Sequence, residues 1–452
     1  MSKKKSICQM FLAVALLVLG SVSADAQQKQ NVLKALGLSD GEVVNLNTQN
    51  HVPGTSFSNV VSIEGQQYTL NLQPHSIRSQ NFRVTVQLAD GSYVQRPLQA
   101  TRLMKGSIQG MPGSRVVGSV TQSGLMALIV MPQGESFYIE PIASRIENAN
   151  AGEHVVYRST DVVDGNLTCG VINPANLRRG LVDNPFGRPG TRTHSELAGQ
   201  NLDIAAGSII QVAELAIDTD VEFFNFFGSE QATLDRIELV VGITNDQYES
   251  QVGLTHELGE IIIRSAEPDP YTSFDAFDAL TEFVTYWETE QQDIQRDAAH
   301  FFTGKDLGGI GGVAFLSGMC TPGINYGLDR IDFNGVLVCS TDLLAHELGH
   351  NWSANHCSCP NNTMNSGLTC TNLFSAPSIQ SITSFANSLD CLTDQTDVLL
   401  GDVNQDGVVN LLDVGPFIDL LNSNGFQLEA DINEDGVVNL LDIAPFVMLL
   451  SG

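Results

Sequence analysis

The stretch HELGHNWSANH, residues 346–356, holds three histidines and one glutamate at a spacing typical of a metal site. On a helix, His346 and His350 lie on one face, so both imidazoles can reach a single ion. Glu347 projects toward that ion's open coordination position, where a carboxylate can take a proton from water. His356 follows after enough chain to turn back and complete three-nitrogen ligation. The pattern predicts a catalytic zinc site holding one ion; an ordinary buried amphipathic helix is the alternative.

The eleven residues resemble the metzincin pattern His-Glu-x-x-His-x-x-Gly-x-x-His, and HELGHNW is most similar to the reprolysin (adamalysin/ADAM-type) branch. Ser353 stands where the family has glycine, at the end of the helix, where a positive φ suits glycine better than serine. Cys357 stands where reprolysins carry aspartate. Residues 362–366, NTMNS, resemble the Met-turn that lies under the metal, with Met364 as its methionine. The resemblance implies an α+β catalytic domain with a mixed sheet and a long active-site helix.

The acidic composition limits the partners of this chain. Among 452 residues, 51 acidic against 22 basic side chains give a net charge of −29, which argues against nucleic-acid or anionic-membrane binding. The length allows about two to four domains. Residues 401–452 carry nine Asp/Glu and no Lys or Arg, which favours bound cations in that region.

The first 26 residues have the pattern of a secretory signal peptide. Lys3-Lys4-Lys5 is followed by an apolar run from Phe11 to Leu19 and by the small residues around Ala26. No other segment reaches about 18 uninterrupted apolar residues, so we expect no membrane span. A secreted protein is therefore predicted.

Six of the cysteines cluster around the histidine motif. In an exported protein they predict up to three disulfides, whose connectivity the sequence does not fix. They are Cys320, Cys339, Cys357, Cys359, Cys370 and Cys391.

Residues 27–165 alternate apolar and polar positions with frequent Gly, Pro and Ser, which predicts a β-rich segment. Within it, Lys105 to Ile142 resembles the reprolysin propeptide, so residues 27–200 are interpreted as a propeptide. The matching positions are Gly106, Gly110, Pro112, Ser114, Gly124, Leu125 and Tyr138-Ile139-Glu140-Pro141-Ile142.

Cys169 lies in Leu167-Thr-Cys-Gly-Val171, which resembles the cysteine switch of reprolysin propeptides. The resemblance implies that its thiolate occupies the fourth zinc position and keeps the enzyme latent. An unpaired thiol, or a disulfide with one of the six clustered cysteines, is the alternative. The same linker, residues 166–206, contains Arg178-Arg179, which is either a processing site or a solvated basic pair.

A catalytic domain is expected over residues 205–395. Apolar runs predict strands at Ile209–Ile217, Leu239–Ile243 and Val252–Arg264, and three-four spacing predicts a helix over Phe274–Ile294. Thr341 or Asp342 is predicted to cap the catalytic helix. Two further histidines are interpreted as structural: His256 falls on a predicted strand, and His300 lies outside the motif.

The C-terminal residues 399–452 contain one 12-residue pattern twice, 29 residues apart. Oxygen-bearing side chains at positions 1, 3, 5, 9 and 12, a glycine at position 6 and a backbone carbonyl from position 7 match a calcium loop. Acidic turns that bind nothing are the alternative. The predicted ligands are Asp402, Asn404, Asp406, Val408, Asn410 and Asp413, and then Asp431, Asn433, Asp435, Val437, Asn439 and Asp442.

Each loop feeds one short helix, and the repeat resembles a type I dockerin, a small α domain with two structural calcium ions. The resemblance implies a cohesin-like or cell-surface partner. Positions 10 and 11, often polar in cellulosomal dockerins, are leucines in both copies, so an intramolecular or attachment role stays open.

Two functions remain. One is a secreted zinc endopeptidase, made as a zymogen, that hydrolyses proteins or peptides with Glu347 as general base. The other is an inactive calcium-dependent attachment or extracellular matrix protein.

Overall fold

The computed structural model describes residues 29–174, 210–394 and 400–451, apart from positions 49, 147–148, 151, 164–166, 405–408, 424, 426 and 434–436. The predicted signal peptide and the Arg178-Arg179 pair lie outside the described residues. The strands are β1 Glu42–Asn45, β2 Phe57–Ile63, β3 Gln66–Pro74, β4 Arg78–Gln87, β5 Tyr93–Gln95, β6 Leu103–Ile108, β7 Arg115–Thr121, β8 Gly124–Val130, β9 Ser136–Pro141, β10 Glu153–Arg158, β11 Thr168–Ile172, β12 Gln211–Thr219, β13 Leu254–Arg264, β14 Ala298–Phe302, β15 Ile310–Phe315, β16 Tyr326–Asp329 and β17 Thr393–Asp394.

The N-terminal region, the described residues up to 174, contains an antiparallel sheet of eight strands in the order β1-β10-β9-β8-β7-β6-β3-β2. Its strands alternate in burial where one face meets solvent, as in β3, whereas β9 is buried from Phe137 to Pro141. The β-rich character predicted for residues 27–165 is confirmed.

The predicted catalytic domain, residues 205–395 and called the catalytic region below, is built on a second, mixed sheet with the order β11-β15-β16-β14-β12-β13-β4-β5, and β17 pairs with β12. Its helices are α1 Val221–Phe227, α2 Glu230–Val252, α3 Ala276–Glu290, α4 Leu337–Asn351 and α5 Ala376–Ala386. Strands β4, β5 and β11 come from the N-terminal region, so this sheet spans the predicted boundary between propeptide and catalytic domain. The strand predictions at 209–217 and 252–264 and the helix prediction at 274–294 are confirmed within a few residues.

The strand predicted at Leu239–Ile243 is wrong, because these residues lie in the middle of helix α2. Helix α2 packs on β6 and β7 on one side and on β13 and α4 on the other, so it is buried nearly all round. A helix buried on every face shows no amphipathic period, and a short apolar run then reads equally well as a strand. The Ser229 side chain accepts from the Ala232 N–H at its start, and Gly253 ends it at φ 74°.

The C-terminal region contains two short helices, α6 Val414–Ser423 and α7 Ile443–Ser451, one after each predicted calcium loop. The rings of Phe417 and Phe446 pack with centroids 4.3 Å apart, and Val403, Ala430 and Val438 complete the small core. The prediction that each loop feeds one helix is confirmed.

All six clustered cysteines are paired, as Cys320–Cys391, Cys339–Cys370 and Cys357–Cys359. The predicted three disulfides are therefore confirmed. Over the described ranges, we find no helix with the length and apolar character needed to cross a bilayer.

Candidate metal centre and active site

Helix α4 carries the histidine motif through the interior of the protein. All fifteen of its residues are buried, and it packs against α2, β15 and β16. Gly349 lets the Met364 side chain lie directly against the helix, since a Cβ at this position would be 2.5 Å from Sδ. Met364 itself is fully buried, as expected of a residue under the metal site.

The three predicted zinc ligands converge. The Nε2 atoms of His346 and His350 are 3.0 Å apart, and His356 Nε2 lies 3.1 Å from the first and 3.2 Å from the second. Nitrogens about 2.0–2.1 Å from one tetrahedral ion lie roughly 3.3 Å from each other, so the spacing fits zinc. A cation placed between these three nitrogens would be within bonding distance of each of them.

The outer nitrogens of two ligands are fixed by backbone carbonyls. His346 Nδ1 lies 2.6 Å from Thr363 O, and His350 Nδ1 lies 2.7 Å from Ala354 O. An Nδ1–H donated to a carbonyl leaves Nε2 unprotonated, which is the tautomer a metal requires. Burial lowers the pKa of His346 to about 3, and burial also lowers the pKa values of His350 and His356. The site therefore holds its imidazoles neutral.

The turn after the helix brings His356 back to the other two histidines. Ser353, which occupies the expected glycine position, has φ 75°, the left-handed conformation in which a side chain is strained. Ser317 Oγ donates to Ser353 Oγ at 2.9 Å, and Ser353 O accepts from Ser381 Oγ at 2.8 Å. These contacts hold the strained turn. Past it, the Cys357 N–H donates to Met364 O, tying the chain to the Met-turn.

The Glu347 carboxylate lies beside the histidines and against strand β15. It is fully buried, and the Cys169 thiol is the neighbour that hydrogen-bonds to it. Burial raises the pKa of Glu347 well above its ordinary value, and the nearby Asp329 adds to this. A Cβ at Gly312 would lie 2.5 Å from Glu347 Oε1, so this glycine makes room for the carboxylate. Sequence reasoning missed Gly312, although the glycine-rich run around it was visible.

Strand β11 places Cys169 at the same site. It runs parallel to β15, with Cys169 opposite Gly312, and the Cys169 N–H donates to Ser366 O at 3.1 Å. Sulfur and oxygen of Cys169 and Glu347 and a ring nitrogen of His346 all lie within 4.8 Å of one another. Among the described cysteines Cys169 is the free one; burial, followed by Glu347, raises the pKa of its thiol. The linker predicted over 166–206 thus begins with an ordered strand.

Asp342 does not cap the catalytic helix, and the prediction for Thr341 or Asp342 is wrong, because the helix begins earlier, at Leu337. Instead, Asp342 Oδ1 accepts from Thr363 Oγ1 at 2.7 Å and from the Asn372 N–H at 3.0 Å. The Thr363 carbonyl is the partner of His346, so Asp342 supports a metal ligand from one residue away. The spacing of the motif gives no signal for this role.

The helix is capped from the N-terminal region. Val336, its N-cap residue, supplies no side-chain hydrogen bond, and Glu140 Oε1 of β9 accepts from the Leu337 N–H at 2.9 Å. Glu140 is buried and also accepts from the Tyr157 hydroxyl. The carboxylate thus lies at the positive end of the helix that carries two metal ligands.

The two other histidines have structural roles, as predicted. His256 lies on strand β13, where its Nε2 accepts from Trp352 Nε1 at 3.0 Å and its Nδ1 lies 2.8 Å from Asn245 Oδ1. His300 Nδ1 contacts Asp329 Oδ2 at 2.6 Å. Its Nε2 contacts Asn351 Oδ1 at 3.0 Å. Both rings are fully occupied within the protein.

The predicted calcium loops share one arrangement. Asp413 Oδ1 accepts from the Asn404 N–H at 3.0 Å and Oδ2 from the Asn410 N–H at 2.8 Å, so positions 3, 9 and 12 meet. Asp442 repeats this with Asn433 and Asn439, at 3.1 and 2.8 Å.

Only some of the other predicted calcium ligands lie among the described residues. Asp402 and Asp431 are buried at the start of the loops. The Val437 carbonyl accepts from Asn439 Nδ2 at 3.3 Å. Asp406, Val408 and Asp435 lie outside the described residues. Asp and Asn residues of this kind supply the carboxylate and amide oxygens that calcium takes as ligands.

Comparison with known proteins identifies two regions. Residues 211–389 match the model of metallo-peptidase family M12, and residues 400–446 match the dockerin type I domain. The chain is 26% identical over 300 residues to human disintegrin and metalloproteinase domain-containing protein 18, covering 64% of this chain and 38% of that protein. It is 26% identical over 320 residues to rat disintegrin and metalloproteinase domain-containing protein 1, covering 68% and 38%. It is 25% identical over 336 residues to the human protein 9 of this series, covering 72% and 39%. The match thus spans under two fifths of the length of these relatives.

Proposed function

We propose that this chain, whose residues 211–389 match metallo-peptidase family M12 and whose residues 400–446 match the type I dockerin domain, is a secreted zinc endopeptidase made as a latent zymogen. The convergence of three Nε2 atoms within 3.2 Å, beside the buried Glu347 carboxylate, is the observation that carries the proposal. The proposed regions are a signal peptide at 1–26, a propeptide at 27–200, a catalytic domain at 205–395 and a dockerin-like domain at 399–452.

The proposed site residues have different roles. His346, His350 and His356 hold the zinc ion, which, when bound, supplies an acidified water and a polarised peptide carbonyl. Glu347 accepts the proton of the attacking water and passes it to the leaving amine nitrogen. Gly312 keeps the carboxylate in reach of the histidines.

The edge of the catalytic sheet is the proposed binding site for the substrate. Strand β11 pairs with β15 on one side, and the 366–368 segment bonds to its other side, through Ser366 O and the Leu368 N–H. With β11 removed, these backbone groups are free to pair with an extended peptide. We therefore propose polypeptide substrates bound in extended form along β15.

Latency is assigned to Cys169. Its sulfur lies within 4.8 Å of a ring nitrogen of His346 and of a Glu347 carboxylate oxygen, which supports its occupying the fourth position on the metal. The high pKa of the buried thiol applies to the metal-free site; a divalent cation deprotonates a coordinating thiol.

The C-terminal domain is proposed to bind two calcium ions and to attach the protease to a cohesin-like or cell-surface partner. Leu411, Leu412, Leu440 and Leu441, at positions 10 and 11 of the two copies, are exposed by 44–78%. Exposed leucines at equivalent positions support a binding surface that is apolar rather than polar.

Metal analysis together with a peptidase assay tests the function. The processed protein should hold about one zinc per catalytic domain. It should cleave casein or a peptide library in a chelator-sensitive way, and Glu347→Gln should retain zinc and lose nearly all activity. Equal activity in both proteins would refute the mechanism. A zinc-free, inactive protein that still binds calcium would favour an attachment protein.

A further inference from the structure

The N-terminal region contacts the catalytic sheet at both of its edges. Strand β4 pairs in parallel with β13 over Leu258 to Arg264, and β5 extends this edge by one more strand. At the opposite edge, β11 pairs with β15. The catalytic sheet is therefore completed at each end by strands that precede residue 174.

The two regions also share one hydrophobic core. A single buried cluster joins N-terminal side chains such as Phe82, Val84 and Leu103 to catalytic side chains such as Leu239 and Ile261. The absence of a side chain at Gly242 of α2 lets Leu103 pack onto that helix, since a Cβ would lie 2.7 Å from Leu103 Cδ1. Shared cores of this kind are typical of permanent interfaces, because separating the partners exposes apolar surface to water.

Ion pairs surround this core, and in all of them the same region supplies the cation. Among the described residues, six ion pairs join the two regions, and in each the cation is N-terminal. Five of the six acids lie on helix α2. The pairs are Arg78–Glu238, Arg83–Glu260, Arg96–Glu230, Arg102–Asp235, Lys105–Glu249 and Arg115–Asp246.

The Arg78–Glu238 pair lies deepest. Both side chains are only 2% exposed, and Glu238 Oε2 also accepts from Thr101 Oγ1 at 2.9 Å. Removing the N-terminal region would leave Glu238 without its cation, and an unpaired buried carboxylate is strongly unfavourable. Each more exposed pair contributes little alone. Together they make the basic N-terminal face complementary to the acidic helix.

We propose that cutting the linker between residues 174 and 210 does not release the N-terminal region, which stays bound as a non-covalent subunit and keeps β11 in the cleft. Continued latency after the cut is the one part of this proposal that rests on the proposed function. Since β4 and β5 remain on β13, β11 stays tethered near its site at an effective concentration of roughly millimolar or more. Activity then needs a second event that takes β11 out of the cleft.

The test uses the full chain with a site for a sequence-specific protease placed between residues 180 and 200. After complete cutting and dilution to about 10 nM, where only tight complexes persist, the two fragments should co-elute on size exclusion. The Cys169 thiol should react with a disulfide reagent as slowly as in the uncut chain. Fragments that separate, or a thiol that becomes reactive at the rate of an unfolded chain, would overturn the proposal. Neither readout needs peptidase activity, so a failure of the proposed function remains distinguishable.

A charge swap tests the role of the interface pairs. Arg115 binds Asp246 in a bidentate fashion, at 2.8 and 2.9 Å. Arg115→Glu should raise the dissociation rate of the cut complex at least tenfold. Adding Asp246→Arg should bring that rate most of the way back to the wild-type value. The matched control is Arg158→Glu, because Arg158 pairs with Glu64 and Glu135 inside the N-terminal region. A control that dissociates as fast as Arg115→Glu, with no rescue by the swap, would contradict the charge-complementary interface.

Discussion

Replacing Glu140 by alanine should destabilise the protein through its catalytic helix, although Glu140 lies nearly 200 residues before that helix. The variant removes the acceptor of the Leu337 N–H, a helix-capping contribution of about 1 kcal/mol, and the negative charge at the helix N-terminus, a few tenths to about 2 kcal/mol. It also leaves the buried Tyr157 hydroxyl without its acceptor, at about 1–3 kcal/mol. The free energy of unfolding should therefore fall by about 3 kcal/mol.

Two comparisons isolate the cap from general damage to the sheet. Glu140→Gln keeps an oxygen at the acceptor position and loses only the charge, so we expect a loss of about 1 kcal/mol. Glu153→Ala, on the neighbouring strand β10, removes a half-buried carboxylate that accepts a hydrogen bond from Asn150 in the same region, and should change stability by less than about 0.5 kcal/mol.

Urea denaturation measures these differences, and hydrogen exchange shows where they arise. Amides in the first turn of α4, from Leu337 onward, should exchange faster in Glu140→Ala, whereas amides of β2 and β3 at the far end of the first sheet should not change. If Glu140→Ala matched Glu153→Ala in stability, or if protection were lost evenly over both sheets, the capping argument would be refuted.

Three other outcomes follow from single positions. Gly312→Ala should push the Glu347 carboxylate aside and lower kcat by roughly 10²-fold while zinc content stays the same, as measured by metal analysis beside the activity assay. At Ser353, φ 75°, the Ser353→Gly variant should be more stable to urea than Ser353→Ala by about 1–2 kcal/mol, because both lose the hydrogen bond to Ser317 and only alanine keeps the backbone strain. His256 has a folded pKa lowered from 6.5 to about 3 by burial, so its contribution is complete above pH 6.5 and is lost as pH falls toward 3. Acid unfolding of the wild type should then show about 4–5 kcal/mol more loss over this window than His256→Gln.

The metal centre was predictable because its residues are close in sequence. A spacing of four on a helix fixes the relation of His346 to His350, and a short turn returns His356, so local geometry alone brings three nitrogens together. The supporting groups were not predictable in this way. Gly312 and Glu140 reach the helix from other strands, and no periodicity in the chain records which strand lies beside which.

The error at Leu239–Ile243 has the same physical origin. Sequence periodicity reports a boundary between apolar core and water, and α2 has no such boundary because the N-terminal sheet covers its outer face. Polar side chains do recur on that face at helical spacing, at Asp235, Glu238 and Asp246, but the five-residue run Leu239–Ile243 contains none of them and, taken alone, shows no helical period.

The covered face of α2 also accounts for its buried acids. Asp235, Glu238 and Asp246 are buried on a helix that looks apolar in its centre, and buried carboxylates are tolerated only with partners. Their partners Arg102, Arg78 and Arg115 all lie in the N-terminal region. The sequence of the catalytic region is therefore adapted to the presence of the N-terminal region, and the boundary at which the chain is expected to be cut is not a boundary between separate folding units.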